Sequence, residues 1–169
     1  HAYGQVGRNV ARIAKGFGME VSALDPVVTD EVMEADGIKP VHSIEELYAN
    51  NQYVSLHIPA TPQTKGSVGL EQIKLMPKNA VLINTARKEI INEESLAEAL
   101  RLRADVRYIA DVKPDTAAAM AEEFGTRVFF TPKKMGAQTA EANINAGLAA
   151  ARQSVAFLKD GWNKFQVNK

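Results

Sequence analysis

The sequence predicts a doubly wound α/β domain built on a parallel sheet. Short strands that are apolar along their whole length alternate with helices of roughly ten residues. Strands without an alternation of polar and apolar residues are buried on both faces, which is typical of a parallel sheet covered by helices. The chain has 169 residues, of which 46% are hydrophobic, so it can bury one sizeable core.

The predicted elements follow one another without long gaps. Val6, Val10, Ile13, Ala14 and Phe17 recur at helical spacing, so residues 5 to about 17 are predicted to form a helix that packs this stripe on a core. The remaining predictions are a strand at 20–24, a helix through Ala49 capped by Ser43, a strand at 53–56, a helix at 70–76, a strand at 80–83, a helix at 93–102 capped by Asn92, a strand at 106–110, a helix at 117–124 and a strand at 128–130.

The last segment differs from this alternation. Residues 139–159 are predicted to form one long helix, whose apolar positions alternate steps of four and three residues. This helix either packs on its own sheet or forms a seam with another domain or subunit. The expected organisation is a dinucleotide-binding domain at 1–159, followed by a tail at 160–169 whose Trp162 and Phe165 need a further partner.

Composition excludes several functions. The charges of twenty basic and twenty acidic side chains cancel, so the chain has no net positive charge that would attract nucleic acid or anionic lipid. The absence of cysteine excludes disulfides and thiolate metal sites and favours a reducing compartment. No apolar run approaches the roughly 20 residues that a bilayer requires. A soluble, cytoplasmic protein with a small-molecule or protein partner and no metal site is expected.

A degenerate glycine motif opens the chain. Ala2 to Gly7 stands where a G-x-G-x-x-G fingerprint falls, with alanine at the first glycine position. Gly4 would let the backbone approach a pyrophosphate, and Gly7 would let the helix pack closely. Asp25 lies eighteen residues beyond Gly7 at a strand end, where a carboxylate binds a ribose and disfavours a 2′-phosphate. NAD is therefore expected rather than NADP, although Asp25-Pro26 also suits an ordinary turn.

Two further loops follow predicted strands and so lie at the carboxyl edge of the sheet, where such folds bind ligands. The first runs from His57 to Thr64, and the second contains Asn84 to Arg87. An arginine at a strand end can hold a carboxylate by two hydrogen bonds. The alternative for the first loop is a rigid turn without a binding role, and the alternative for the arginine is a solvated surface charge.

Taken in order, the segments A-Y-G-Q-V-G, L-D-P, L-H-I-P-A-T-P-Q-T, L-I-N-T-A-R, A-D-V and F-T-P-K-K-M-G-A-Q-T resemble the D-2-hydroxyacid dehydrogenases. The resemblance implies an NAD-dependent oxidoreductase and a Rossmann-type domain whose first strand is missing from this chain. It also implies a substrate domain ahead of His1, to which the tail returns, and a homodimer formed through the cofactor domain. By itself the chain is expected to be inactive and poorly soluble.

The resemblance also assigns roles to individual residues. Arg87 binds the substrate carboxylate and keto oxygen, Asp111 faces the nicotinamide carboxamide, and the loop 57–64 lines the adenosine and ribose. The implied cofactor contacts are Tyr3, Gly4, Gln5, Val6, Asp25, His57, Pro59, Thr64, Thr85, Ala86, Arg87 and Asp111.

The chain departs from the family at the catalytic pair. Thr116 replaces the usual glutamate, and Lys134 stands where a histidine is expected, as in a subgroup of phosphoglycerate dehydrogenases. A lysine base needs its pKa lowered, and positive charge from Lys133 and Arg87 would do so, whereas a nearby glutamate would oppose it. Asp115 substituting for the glutamate is an alternative, as is a solvated Lys134.

The preferred function is oxidation of 3-phosphoglycerate to 3-phosphohydroxypyruvate for serine biosynthesis. The alternatives are a glyoxylate or hydroxypyruvate reductase, and an NAD-sensing binding protein without turnover.

Overall fold

The structure is a computed structural model that describes residues 1–133 and 139–166. It divides into two compact units, residues 1–133 and residues 134–169. Within the described residues, no helix combines the length and the apolar character that crossing a membrane requires.

The first unit alternates strands and helices as the sequence predicts. The helices are α1 (Gln5–Gly16), α2 (Asp30–Ala35), α3 (Ile44–Asn50), α4 (Leu70–Leu75), α5 (Glu93–Leu102) and α6 (Ala117–Phe124). The strands are β1 (Ser22–Ala23), β2 (Lys39–Pro40), β3 (Tyr53–Leu56), β4 (Val81–Asn84), β5 (Arg107–Ala110) and β6 (Val128–Phe130).

All described strand pairs are parallel, which confirms the predicted fold class. A four-stranded sheet has the order β3-β4-β5-β6, and β1 pairs with β2 in a separate two-stranded sheet. Among the described residues, β1 and β3 form no ladder with each other, so the sheet is interrupted between them. The backbone of His1 and Ala2 crosses one end of this interruption, since the His57 N–H donates to His1 O and the Ala2 N–H donates to Leu24 O, each at 2.8 Å.

The predicted caps and core are present. Ser43 Oγ accepts the Glu46 N–H at 3.0 Å, and Asn92 Oδ1 accepts the Ser95 N–H at 3.0 Å, which begins α3 and α5 where the sequence indicated. The core between the larger sheet and its helices consists of fully buried apolar side chains. Its largest members include Tyr48, Leu56, Ile73, Leu82, Leu96, Leu100, Tyr108 and Met120.

The prediction for the packing of α1 is wrong. Val6, Ile13 and Phe17 are exposed to 61%, 53% and 82%, whereas the buried positions of the helix are Gly7 and Ala11. The reason is the close approach of α1 to the preceding turn, because a Cβ on Gly7 would lie 2.5 Å from Ala2 O. At Gly7, therefore, only a residue without a Cβ fits, and the large apolar side chains lie on the exposed side of the helix.

The segment after β1 holds more structure than predicted. The strand expected at 20–24 is reduced to Ser22–Ala23, and it pairs with the unpredicted β2 through register Ser22↔Lys39 and Ala23↔Pro40. Helix α2 between them was not predicted either. Each of these elements is too short to show a periodic pattern of its own.

The second unit contains α7 (Ala140–Asp160) and the following turn. Thr139 caps the helix, since its side chain accepts the Ala142 N–H at 3.0 Å, and Gly161 ends it in the left-handed conformation with φ 65°. Trp162 and Phe165 contact each other edge to face with ring centroids 5.3 Å apart. The predicted helix is confirmed, with bounds shifted by one residue.

Candidate functional site

The turn that leads into α1 is fixed by backbone contacts to the end of β1. The Tyr3 N–H donates to Asp25 Oδ2 at 2.7 Å, and the Ala2 N–H donates to Leu24 O. The Tyr3 side chain is buried, and its hydroxyl donates to Asp36 Oδ2 at 2.9 Å. Burial and this hydrogen bond raise the pKa of Tyr3 to about 12. Tyr3 therefore anchors the turn, because its N–H and its hydroxyl both donate to carboxylates.

The glycines of this turn play different roles. Gly4 is the N-cap of α1, and a Cβ added there would meet no atom within 4 Å. Gly7 is closely packed against Ala2 and the His57 ring. The first turn of α1 carries no acidic side chain, so the free N–H groups and positive end of the helix dipole beside Gly4 can meet an anion. An open glycine before such a helix end fits a pyrophosphate.

Asp25 lies beside this turn and is held as a carboxylate. Its Oδ1 accepts the N–H groups of Val27 and Val28 at 2.8 and 3.0 Å, while Oδ2 accepts that of Tyr3. Partial burial opposes ionisation, but the three N–H donors prevail and lower the pKa of Asp25 below its usual value. A fixed negative charge here favours ribose hydroxyls and repels a 2′-phosphate. The predicted placement next to Gly4 is therefore observed.

His57 packs against the start of α1, and its Nε2 is buried without a hydrogen-bond partner among the described residues. Burial lowers the pKa of His57 to about 4, so the imidazole is neutral at physiological pH. The loop after it is held by its own threonines, because Thr64 Oγ1 donates to Pro59 O and accepts the Thr61 N–H at 2.8 Å. His57 and Thr85 line the same cavity as Tyr3 and Gly7, which brings the predicted loops together.

The loop after β4 is shaped by Asn84, which is completely buried. Its Oδ1 accepts the Ala86 N–H and its Nδ2 donates to Arg87 O, both at 3.0 Å. Arg87 is exposed, and the one hydrogen bond found for its guanidinium within the described chain goes to Ala86 O. The guanidinium is therefore placed to take up a carboxylate from solution.

Asp111 follows β5 at the same edge of the sheet as Asn84. The Asp111 N–H donates to Asn84 O at 3.1 Å, and Thr131 Oγ1 contacts Asp111 O and Oδ1 at 3.0 and 2.9 Å. These contacts tie the ends of β4, β5 and β6 together beneath the loop of Arg87. The structure thus places Asp111 at the carboxyl edge of the sheet, next to the end of β4.

An acid that the sequence analysis did not single out lies at the departure from the family pattern. Glu93, at the start of α5, accepts the N–H groups of Asp115 and Thr116 at 2.9 Å each, and the Thr116 hydroxyl at 2.6 Å. Asp115 in turn forms an exposed ion pair with Lys88 at 2.6 Å. Glu93 is 23 residues from Thr116 in the chain, and no local pattern in the sequence indicates their contact.

Lys134, predicted as the catalytic base, lies outside the described residues. The neighbouring Lys133 is exposed.

The profile of the family described as D-isomer specific 2-hydroxyacid dehydrogenase, NAD binding domain, matches residues 1–133. Two curated relatives are D-3-phosphoglycerate dehydrogenases. That of Methanocaldococcus jannaschii is 37% identical over 89% of this chain and 29% of its own length, and that of Haemophilus influenzae is 33% identical over 98% of this chain and 41% of its own. The chain thus spans less than half the length of these relatives.

A solved structure agrees with these matches. The cofactor (NAD⁺) bound 3-phosphoglycerate dehydrogenase of Entamoeba histolytica is 48% identical, with a TM-score of 0.83 over 97% of this chain and 52% of that one.

Proposed function

Because the chain belongs to the D-isomer specific 2-hydroxyacid dehydrogenases, as their NAD-binding domain, we propose that the full-length protein oxidises 3-phosphoglycerate to 3-phosphohydroxypyruvate with NAD⁺. The observation that carries this proposal is the 48% identity, over 97% of the chain, to a 3-phosphoglycerate dehydrogenase whose structure holds NAD⁺. Residues outside 1–169 would supply the substrate domain, and the tail at 160–169 would return to it.

The residues around Gly4 would hold the cofactor. The start of α1, at Gly4, Gln5 and Val6, would bind the pyrophosphate, and the Asp25 carboxylate would accept the ribose hydroxyls. His57, Pro59 and Thr64 would line the adenosine side, and Thr85, Ala86 and Asp111 the nicotinamide side. When bound, NAD⁺ supplies the acceptor for the hydride that leaves C2 of the substrate.

Arg87 and Lys134 would act on the substrate. The exposed Arg87 guanidinium would bind the carboxylate and the oxygen on C2, which orients the C2 hydrogen. Lys134 would take the hydroxyl proton as general base. Glu93 would not serve as the missing acid in this arrangement, because its carboxylate is committed to three donors in the turn at Thr116.

Steady-state NADH formation by the full-length enzyme with 3-phosphoglycerate tests the proposal. Lys134→Ala should lower kcat by about 100-fold or more while NAD⁺ affinity, measured by calorimetry, stays unchanged. Lys133→Ala is the matched control and should retain most of the turnover. Arg87→Ala should raise KM for 3-phosphoglycerate and lower kcat/KM.

Absence of NADH formation at every pH from about 7 to 10 would refute this function, since a lysine base should be active in part of that range. Glyoxylate should be tried next, because the glyoxylate reductase of Thermococcus litoralis is 30% identical over 99% of this chain. Glyoxylate-dependent NADH consumption without activity on 3-phosphoglycerate would favour a reductase.

A homodimer formed through the cofactor domain is part of the proposal, as is a cytoplasmic location. The exposed apolar residues Ile13 and Phe17 on α1 support a subunit contact there. Light scattering of the double variant Ile13→Ser and Phe17→Ser should then give a monomer, whereas an unchanged mass would place the dimer contact elsewhere.

A further inference from the structure

The loop that carries Arg87 is short and is fixed at both of its ends. Asn84, the last residue of β4, begins the loop. At its other end, Glu89 O accepts the Gly66 N–H at 2.8 Å. We call residues 85–88, which lie between these two points, the arginine loop. Because the loop is so short, any further contact to it acts directly on the position of Arg87.

Lys88, the last residue of the arginine loop, is bound by a side chain of the loop that follows β5. Its Nζ donates to Asp115 Oδ1 at 2.6 Å, and this hydrogen bond, together with the Asp115 charge, raises the pKa of Lys88. An exposed ion pair contributes little where both side chains must first be ordered. The effect of this pair on the arginine loop therefore depends on what holds Asp115 in place.

The carboxylate of Glu93, the first residue of α5, holds Asp115 in place. Its Oε1 accepts the Asp115 N–H and its Oε2 accepts the Thr116 N–H, each at 2.9 Å. Oε2 also accepts the Thr116 hydroxyl at 2.6 Å. Because donors converge on both oxygens, this arrangement requires a carboxylate, whereas an amide would direct its own NH₂ group toward one of the donors.

These contacts close a ring. It runs from Glu93 through Asp115 to Lys88, and the backbone between Lys88 and Glu93 completes it. That stretch of backbone is itself anchored, since the side chains of Ile90 and Ile91 are buried in the core. The ring therefore holds the arginine loop in addition to the contacts that β4 makes with it.

We propose that Glu93 is a positioning residue for Arg87, and that it acts through Asp115 and Lys88 on the direction in which the guanidinium meets the substrate. This inference rests on the proposed function, from which it takes the role of Arg87 in binding the carboxylate of a 2-hydroxy acid. Without the Glu93 carboxylate, the substrate is bound in poorer alignment, which lowers kcat/KM.

The nicotinamide side of the site does not depend on the ring. Asp111 lies at the start of the same loop as Asp115, but it is fixed separately. Its N–H donates to Asn84 O at 3.1 Å, and Thr131 Oγ1 contacts its main-chain and side-chain oxygens. Loss of the Glu93 carboxylate should therefore leave the affinity for NAD⁺ unchanged.

Glu93→Gln in the full-length enzyme is the first test. The value of kcat/KM for 3-phosphoglycerate should fall by about tenfold, while the Kd for NAD⁺ stays within about twofold. Glu94→Gln is the matched control, because it removes the same charge from the same first turn of α5 at an exposed position. No side-chain hydrogen bond of Glu94 is found within the described chain, so this variant should keep its kcat/KM.

A double-mutant cycle separates positioning from a general weakening of the fold. Added to Arg87→Ala, the Glu93→Gln change should lower kcat/KM by less than about twofold, because the positioned group is already absent. A loss of the same factor in both backgrounds overturns the proposal. Lys88→Met breaks the ring at a half-exposed side chain, so it tests the ring even if Glu93→Gln fails to fold. It should reproduce the loss caused by Glu93→Gln without adding to it.

Amide hydrogen exchange examines the ring without a substrate. In Glu93→Gln the Thr116 amide should exchange faster, and so should the Ala86 amide, by about tenfold, because its bond to Asn84 Oδ1 reports on the arginine loop. A response at Thr116 alone would mean that the ring does not reach Arg87, and the proposal would fall. An enzyme inactive on 3-phosphoglycerate would refute the proposed function, whereas the exchange result would still decide the role of Glu93.

Discussion

Asn84 Nδ2 donates a hydrogen bond to the carbonyl oxygen of Arg87 at 3.0 Å, across a loop of two residues. The same side chain accepts the Ala86 N–H, so one buried amide holds both sides of the loop. Because Asn84 is the last residue of β4, the backbone of Arg87 is attached directly to the sheet. The direction in which the guanidinium leaves the loop therefore depends on Asn84.

Asn84→Ala should impair the site more than the fold. Three hydrogen bonds of a buried side chain are lost, to the Ala86 N–H, the Arg87 carbonyl and the Tyr108 hydroxyl, which should cost about 1–3 kcal/mol of unfolding free energy. Misplacement of Arg87 should lower kcat/KM for 3-phosphoglycerate by about tenfold to 100-fold in the full-length enzyme. Asn9→Ala, which removes an exposed helical side-chain contact to Gln5 O, is the control. If the Asn84→Ala variant has normal kcat/KM, substrate binding does not depend on the position that Asn84 gives to Arg87.

The two glycines around the start of α1 should respond differently to alanine. Gly7→Ala places a Cβ 2.5 Å from Ala2 O, a backbone atom, so it should destabilise the protein by about 1–3 kcal/mol. Gly4→Ala meets open space and should leave the melting temperature nearly unchanged, while it weakens NAD⁺ binding. Thermal melts and NAD⁺ calorimetry measure both effects.

Gly147→Ala is the matched control for these substitutions. Gly147 lies inside α7, where a Cβ would also meet no atom within 4 Å, so alanine should stabilise the helix by about 1 kcal/mol. Equal NAD⁺ affinity of the Gly4→Ala variant and the unchanged chain would argue against a pyrophosphate at Gly4.

Local signals explain which elements the sequence predicts. The start of α5 is predictable from Asn92, because a capping side chain acts within one turn of the helix. Strand β3 is predictable from a short apolar run between polar residues. The burial of α1 could not be predicted in this way. Its apolar stripe is clear in the sequence, but the sequence does not show that Gly7 contacts Ala2 closely while Val6, Ile13 and Phe17 are exposed.

The same distinction applies to the site. The spacing between Gly7 and Asp25 predicts that both lie near the start of α1, because it has the length of the helix and the strand that connect them in a dinucleotide-binding unit. The contact of Glu93 with Thr116 joins the first residue of α5 to the N-cap residue of α6. Such contacts depend on how the sheet orders its strands, which residue patterns do not specify. The roles of Arg87 and Lys134 rest on the resemblance rather than on spacing.

Asp105 should make stability depend on pH. Arg103 donates to both its oxygens at 2.8 and 2.9 Å, and the Asn79 N–H donates to Oδ2 at 2.8 Å. The Arg103 guanidinium and these bonds hold the pKa of Asp105 far below its usual value. A carboxyl whose pKa is lowered by folding stabilises the fold above its unfolded pKa, about 3.9, and loses that contribution as the pH falls through its folded pKa.

Asp105→Asn should therefore lower the unfolding free energy by about 1–2 kcal/mol at neutral pH, and the difference should shrink progressively below about pH 4. Urea denaturation at a series of pH values measures this. Glu71→Gln, which breaks the exposed pair with Lys74, should change stability by less than about 0.5 kcal/mol throughout. If Asp105→Asn lowers the unfolding free energy by the same amount at every pH, the loss arises from altered packing rather than from the carboxylate charge.

Ala2 occupies the left-handed region with φ 74°, at the position where the dinucleotide motif has its first glycine. A Cβ in this conformation destabilises the fold by about 1–2 kcal/mol. Glycine removes this cost, but it destabilises the fold by roughly 0.5–1 kcal/mol because it makes the unfolded chain more flexible. Ala2→Gly should therefore stabilise the protein by up to about 1 kcal/mol, seen as a higher melting temperature. Ala119→Gly, at an exposed helical position of α6, should instead destabilise it by about 1 kcal/mol. If both variants lose stability to the same degree, the conformation of Ala2 is not strained in solution.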